Sequence, residues 1–230
     1  MTASTSEQLG KLLSGVELLM LDFDGPVCSV FAGLPASDVA VHLRAVLRHV
    51  GVSTTVAMEQ DDDPLSIYRR SEAYGEMVTL RIYDDLVAAE VRAIASAKPT
   101  PGALEVVEVA RATGRQVAIV SNNAAAAVEA YIKRHTLTKA IDYVAARRTP
   151  QPALMKPNAA YLVEAAHALG VPASQCVLVG DSTTDIEAAR HARMSAIGYA
   201  NKPGKAARLI EAGADGLIEQ MIDLADALRR

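Results

Sequence analysis

The chain has 230 residues, half of them apolar and 22% charged, with a net charge of -4. That length and balance suit one sizeable α/β domain, or a core carrying a smaller insertion, and they exclude disorder and low complexity. Mild acidity offers no positive face for a phosphate backbone, so no nucleic acid partner is expected; two distant cysteines, Cys28 and Cys176, support no disulfide framework.

Up to Ser14 the chain has no basic start followed by an apolar run and a small-residue cleavage site. No apolar stretch reaches membrane-spanning length, so a soluble, cytoplasmic protein without a membrane partner is expected. Val16 to Leu21 is then a short, nearly continuous apolar run ending in Asp22-Phe23-Asp24-Gly25, which suits a buried parallel strand followed by a tight turn. Beyond Gly25 the pattern becomes helical, with segments at Ser37 to Val50, Pro64 to Val78 and Arg81 to Ala97. This stretch is too long for a simple crossover and has apolar positions of its own. It reads as a helical cap domain, residues 26–97, inserted into a core formed by residues 1–25 and 98–230, with Pro99 to Gly102 as the return hinge.

From Gly102 onward strands and helices alternate. Strands are expected at Gln116 to Val120, Tyr143 to Ala145, Cys176 to Val179, Ala196 to Tyr199 and Leu217 to Ile218. The helices between them are Gly102 to Thr113, Ala124 to His135, Asn158 to Leu169, Asp185 to Ala192 and Ala206 to Ala212. Gly114, Gly170 and Gly213 mark three of the helix stops. The alternation predicts an α/β fold, a doubly wound parallel sheet with helices on both faces.

Four polar groups fall at or just after strand ends: Asp22 to Gly25, Ser121-Asn122, Lys156-Pro157, and Gly180-Asp181-Ser182 with Asp185 following. Ligands of open α/β sheets bind outside those ends, so the four can converge. Singly each has an ordinary reading: Asp-x-Asp-Gly is a turn, Ser-Asn-Asn an N-cap, Lys-Pro a helix start. Together they assemble carboxylates, an ammonium and a hydroxyl. Crowded carboxylates demand a cation, and an all-oxygen donor set suits Mg²⁺ better than zinc.

These motifs, in this order and with an insertion directly after the first, resemble the haloacid dehalogenase-like hydrolase superfamily, and the resemblance covers nearly the whole chain. It extends to Asn201-Lys202-Pro203-Gly204-Lys205 and Ala212 to Asp215, which are similar to the family's closing segment. The resemblance implies a Rossmann-like core with a mobile cap and a small-molecule phosphatase that works through an aspartyl-phosphate. It implies Asp22 as nucleophile, Asp24 as general acid and base, and Lys156 as the neutralising cation. It further implies Ser121 and Asn122 as holders of the phosphoryl group, and Mg²⁺ bound by Asp22, Asp24 (through its backbone carbonyl) and Asp181, with Asp185 in support. The implied substrate is a small phosphorylated metabolite such as phosphoglycolate or a sugar phosphate, taken by a monomer or homodimer. A helix beginning near Asn123 is expected to offer free N–H groups to the same anion.

The branches of the family differ at identifiable residues. Metal-free dehalogenases lack a counterpart of Asp24, and the phosphonate-cleaving branch needs a cap lysine, whereas residues 26–97 contain none. A phosphomutase would share the core residues, and a catalytically idle binding module would share the fold. The cap does carry arginines: Arg44 and Arg48 four apart on one helix face, and Arg69 on the next helix, all expected to recognise the remote end of an anionic substrate. Asp61-Asp62-Asp63 reads as a solvated acidic loop, and Cys28 as a small apolar side chain beside the catalytic turn. Pro26 stands where the family usually has Thr or Val.

Overall fold

The computed structural model describes residues 6–230. The chain opens with α1 (Ser6–Leu13) and enters β1 (Leu18–Leu21), buried at every position. The short strand β2 (Cys28–Ser29) leads out to α2 (Ala36–His49), α3 (Val56–Glu59), α4 (Pro64–Ser71) and α5 (Glu76–Ala93). The return runs through β3 (Lys98–Pro99), antiparallel to β2, into α6 (Ala103–Ala112). Strand and helix then alternate through β4 (Gln116–Ala124), α7 (Ala125–Arg134), β5 (Tyr143–Arg147) and α8 (Ala160–Leu169). The last elements are β6 (Cys176–Gly180), α9 (Thr183–His191), β7 (Ser195–Tyr199), α10 (Lys205–Ala212), β8 (Gly216–Ile218) and α11 (Met221–Leu228).

Among the described residues, six strands form one parallel sheet in the order β5-β4-β1-β6-β7-β8. The two-residue period of the strands divides their side chains between two helical layers. Leu19 and Leu21 pack with Val117, Ile119, Val177 and Val179 beneath α1, α6, α7 and α11. Leu18 and Met20 pack with Ala118, Val120 and Leu178 beneath α8, α9 and α10. Each of the Leu, Ile, Val and Met side chains, removed from water, contributes on the order of 1.5–3 kcal/mol. In register, Leu21 pairs with both Ile119 and Val179, so β1, β4 and β6 deliver their carboxyl ends side by side.

The helical insertion is a cap with an apolar cluster of its own. Leu43 and Leu47 of α2, Ile67 and Tyr68 of α4, and Ile82 and Leu86 of α5 meet there, spaced by the helical period. Its two ends behave differently: Val27, Cys28 and Val30, and on the return Ala93, Ile94 and Ala97, pack into the cluster under the sheet.

The helix boundaries need one correction. The helices expected at Pro64 to Val78 and Arg81 to Ala97 divide instead at Gly75, whose φ of 93° ends the first. A 3-10 turn at Glu72–Tyr74 precedes it, and α5 starts at Glu76. Helices α1, α3 and α11 and the β2–β3 ribbon are additional to the sequence expectations. No helix of the described residues is long and apolar enough to cross a membrane.

Candidate active site

The first motif turns directly out of β1. Asp22 N–H still donates to the Val179 carbonyl (2.9 Å), holding the residue in the sheet's frame, while Phe23 packs edge-on against Tyr131 at 5.2 Å. The backbone then folds back, with Gly25 N–H donating to the Cys28 carbonyl and Cys28 N–H to the Phe23 carbonyl. Gly25 has a φ of 121°, and a Cβ on it would lie 2.6 Å from the carboxyl carbon of Asp181. Only glycine lets the first and last motifs approach this closely. The turn presents Asp24, whose Oδ1 accepts from Val30 N–H at 3.0 Å.

Lys156 enters from the loop before α8 and is almost wholly buried. Its ammonium donates to Asp22 Oδ1 (2.7 Å) and to the Val120 carbonyl (3.0 Å), and lies 2.5 Å from Asp185 Oδ1. Asn122 fixes its backbone from both sides: Oδ1 accepts from Lys156 N–H at 2.8 Å and Nδ2 donates to the Lys156 carbonyl at 3.2 Å. Asp185 is held by a reciprocal cap, Ser182 N–H donating to its Oδ2 at 3.0 Å and Asp185 N–H to Ser182 Oγ at 3.3 Å. Gly180 is needed because a Cβ there would fall 2.3 Å from the Cβ of Asp185.

Oxygens of Asp22, Asp181 and Asp185 lie within 4.8 Å of one another. Burial, then the neighbouring Asp185, pushes the Asp22 carboxyl well above its usual range against the pull of Lys156. Lys156 moves up as well: burial opposes its charge, but the Asp185 and Asp22 carboxylates outweigh that. Both shifts describe a cluster short of positive charge. Burial also raises Asp24, to about 6. Hard oxygen donors, close spacing and an unmet demand for a cation fit Mg²⁺.

These residues line a cleft of about 310 Å³ closed on its far side by α4 of the cap. Asp22, Asp24, Asn122, Lys156, Asp181 and Asp185 all border it, as expected from sequence. Arg69 borders it from the cap and donates to the Lys156 carbonyl at 2.8 Å. Three expectations are corrected. Ser121 does not line the cleft: it is fully buried, its hydroxyl donating to Asn123 Oδ1 (3.1 Å) and accepting from Asn123 N–H (3.0 Å). Arg44 and Arg48 do not reach it either. Arg44 is buried inside the cap and donates to the Asp61 carbonyl, while Arg48 forks onto Glu59, both oxygens at 3.0 Å. The helix after Ser121 starts at Ala125 rather than Asn123, and the amides of Asn123 and Ala124 are already taken, by Ser121 and by Glu90.

Several contributors escape a reading of motifs. Asp63, expected as part of a solvated loop, caps α4 by accepting from Leu65 N–H (3.0 Å) and borders the cleft together with Leu65 and Ser66. Glu90 of α5 and Arg147 at the end of β5 form an ion pair of 2.6 Å with no exposed surface. Glu90 also accepts from Asn123 Nδ2 (3.0 Å) and Ala124 N–H (2.8 Å), and Arg147 donates to the Asn122 carbonyl (3.1 Å). The guanidinium lies 4.9 Å and 5.1 Å from the ring centres of Tyr68 and Tyr83. The pair thus ties the cap to the carboxyl end of β4. Its sequence signal is a lone acid on the buried stripe of α5, between Leu86 and Ala93.

A family model described as haloacid dehalogenase-like hydrolase matches residues 31–193. No relative among the curated proteins matches. Among solved structures, a hydrolase from Pseudomonas syringae superposes with a TM-score of 0.68 at 19% identity, covering 90% of this chain and 95% of that one. A protein put forward as a phosphoglycolate phosphatase in Lactobacillus delbrueckii gives 0.63 at 21%, covering 92% and 98%. CbbY from Rhodobacter sphaeroides, solved in complex with phosphate, gives 0.61 at 17%, covering 90% and 95%. At such identities the structural likeness speaks for the fold.

Proposed function

Because the chain belongs to the haloacid dehalogenase-like hydrolase family, we propose that it is a Mg²⁺-dependent phosphatase acting on a small phosphorylated metabolite. The observation that carries this reading is the Asp22–Lys156–Asp185 cluster, with Asp24 and Asp181 on the same cleft. Nucleophile, acid and cation then have separate owners.

In this mechanism a carboxylate oxygen of Asp22 attacks phosphorus, and the bond to the leaving oxygen breaks as Asp24 delivers its proton to that oxygen. Asp24, now ionised, takes a proton from water, and the resulting hydroxide cleaves the aspartyl-phosphate to release phosphate and restore Asp22. Lys156 neutralises charge on the nucleophile and the transferred group. The Mg²⁺, held by Asp22, the Asp24 carbonyl and Asp181 with Asp185 in support, would supply the remaining positive charge that lets an anion attack an anion. Asn122 keeps Lys156 in place by bracketing its backbone. Ser121, near the end of β4, holds Asn123 in place through its hydroxyl.

The cleft's 310 Å³ suits a leaving group of only a few carbons, which agrees with phosphoglycolate or a sugar phosphate in size. Arg69, which borders the cleft from the cap, is the guanidinium that would meet it. Purified protein should release phosphate from a panel of such esters with Mg²⁺, lose activity in excess chelator and regain it when Mg²⁺ returns. Undiminished turnover in chelator would refute the metal's part, and no turnover across the panel would refute the phosphatase.

A further inference from the structure

The segment Asn201 to Lys205 has no role in the steps above, yet it reaches into the catalytic cluster. Asn201 Nδ2 donates to Asp181 Oδ2 at 3.4 Å, and the Lys205 ammonium donates to the same oxygen. Lys205 stands at the first position of α10, whose first turn carries no acidic residue. A cation there faces the positive end of the helix dipole, an unfavourable place worth several tenths of a kcal/mol, roughly, on its own. The contact with Asp181 is what offsets it.

Partial burial gives the pair weight, since the two side chains are only 17% and 18% exposed. Attraction between them is damped less than at an open surface. The ammonium also has room to withdraw. A second cavity, of about 270 Å³, borders Asp181 and is lined by Ser182, Thr183, Lys205, Arg208 and Leu209. Asn201, being neutral, can keep its hydrogen bond to Asp181 whether Lys205 stays or leaves.

The geometry points to Lys205 as an internal cation that competes with the divalent metal for Asp181, weakening metal binding while keeping that carboxylate ordered when the metal departs. The inference rests on the metal-dependent reading above. It makes Lys205 a positioning residue, and its effect is read in metal affinity rather than in turnover.

Calorimetric titration of the full chain with Mg²⁺ tests it. Replacing the ammonium by an uncharged chain of similar length, Lys205→Met, should lower the Mg²⁺ dissociation constant about tenfold, because the incoming ion no longer meets a like charge. Lys205→Arg should keep the wild-type value, and Lys205→Gln should follow Lys205→Met, which separates charge from packing. The rise in Tm on adding a fixed Mg²⁺ concentration should be larger for Lys205→Met than for wild type. An unchanged or weaker affinity in both neutral variants overturns the inference alone. Absence of Mg²⁺ binding by the wild type overturns it together with the metal site.

Discussion

Charged side chains in the core and in the cap follow different logics. In the core, Lys156 reaches Asp22 and Asp185 from a loop more than a hundred residues away from the first and nearly thirty from the second, at 2.7 Å and 2.5 Å. In the cap, Arg48 binds Glu59 and Arg70 binds Asp61, partners within the same helical unit. The core groups come together because parallel strands in register end at one edge, which fixes where each following residue lies. The cap groups lie on helices whose sequence sets only which face is wet, and a wet guanidinium takes the nearest carboxylate. Order along a sheet therefore predicts a site, whereas arginine spacing on a helix does not.

The sharpest way to break the core's side of that contrast is Asp22→Asn. The amide keeps the shape but cannot form the acyl phosphate, so kcat should fall at least about a thousandfold, on the order of 4 kcal/mol in the barrier. Far-UV circular dichroism should stay as in wild type. Retained turnover would remove the covalent step.

The legible part of this molecule is the part governed by strand ends. Each predicted strand of the sheet is present, and Asp22, Asp24, Asn122, Lys156, Asp181 and Asp185 share one cleft. What the sequence hides is how a side chain turns once its backbone is placed. Ser121 stands where expected but spends its hydroxyl on Asn123, because a buried hydroxyl takes the nearest free backbone donor. The α5 boundary was obscured because Gly75 interrupts a pattern that is helical on both sides. Lys205 lies in a recognisable segment, but its reach to Asp181 depends on how β7 and α10 are set beside β6.

Glu90 and Arg147 join the two regions, and removing one of them should cost more than removing any of the cap arginines Arg44, Arg48 or Arg69. Glu90→Ala strands a fully buried guanidinium and frees the Ala124 amide, so unfolding by denaturant should show a loss of about 3–5 kcal/mol. Glu90→Gln keeps the shape and one acceptor oxygen, enough for Asn123 Nδ2 or for Ala124 N–H but not for both, and should lose less than the alanine variant. A loss below about 1 kcal/mol for the alanine variant would mean that the cap is not anchored through this pair.

The smallest effects distinguish the three arginines first expected to act alike. Arg69 borders the cleft and is tied to the Lys156 carbonyl, with no carboxylate partner among the ion pairs of the described residues. Its charge faces the cleft, where it also acts on the Asp63 carboxylate. Arg69→Ala should lower kcat/KM for an anionic or hydroxylated metabolite about tenfold, and for a plain aryl phosphate much less, because only the former reaches across to the cap. Arg44 is buried and satisfies the Asp61 carbonyl, so Arg44→Ala should cost about 1–3 kcal/mol of stability with kcat/KM unchanged at a temperature where the variant stays folded. Arg48 is half exposed and shares Glu59 with Thr54, which donates to it, and with Arg44, 4.0 Å away. Loss of such a pair exchanges one solvated arrangement for another, so Arg48→Ala should leave both Tm and kcat/KM within error of wild type. A kinetic defect in Arg48→Ala equal to that of Arg69→Ala would show that the cap closes further over the substrate than α4 alone, and would return Arg48 to the recognition surface.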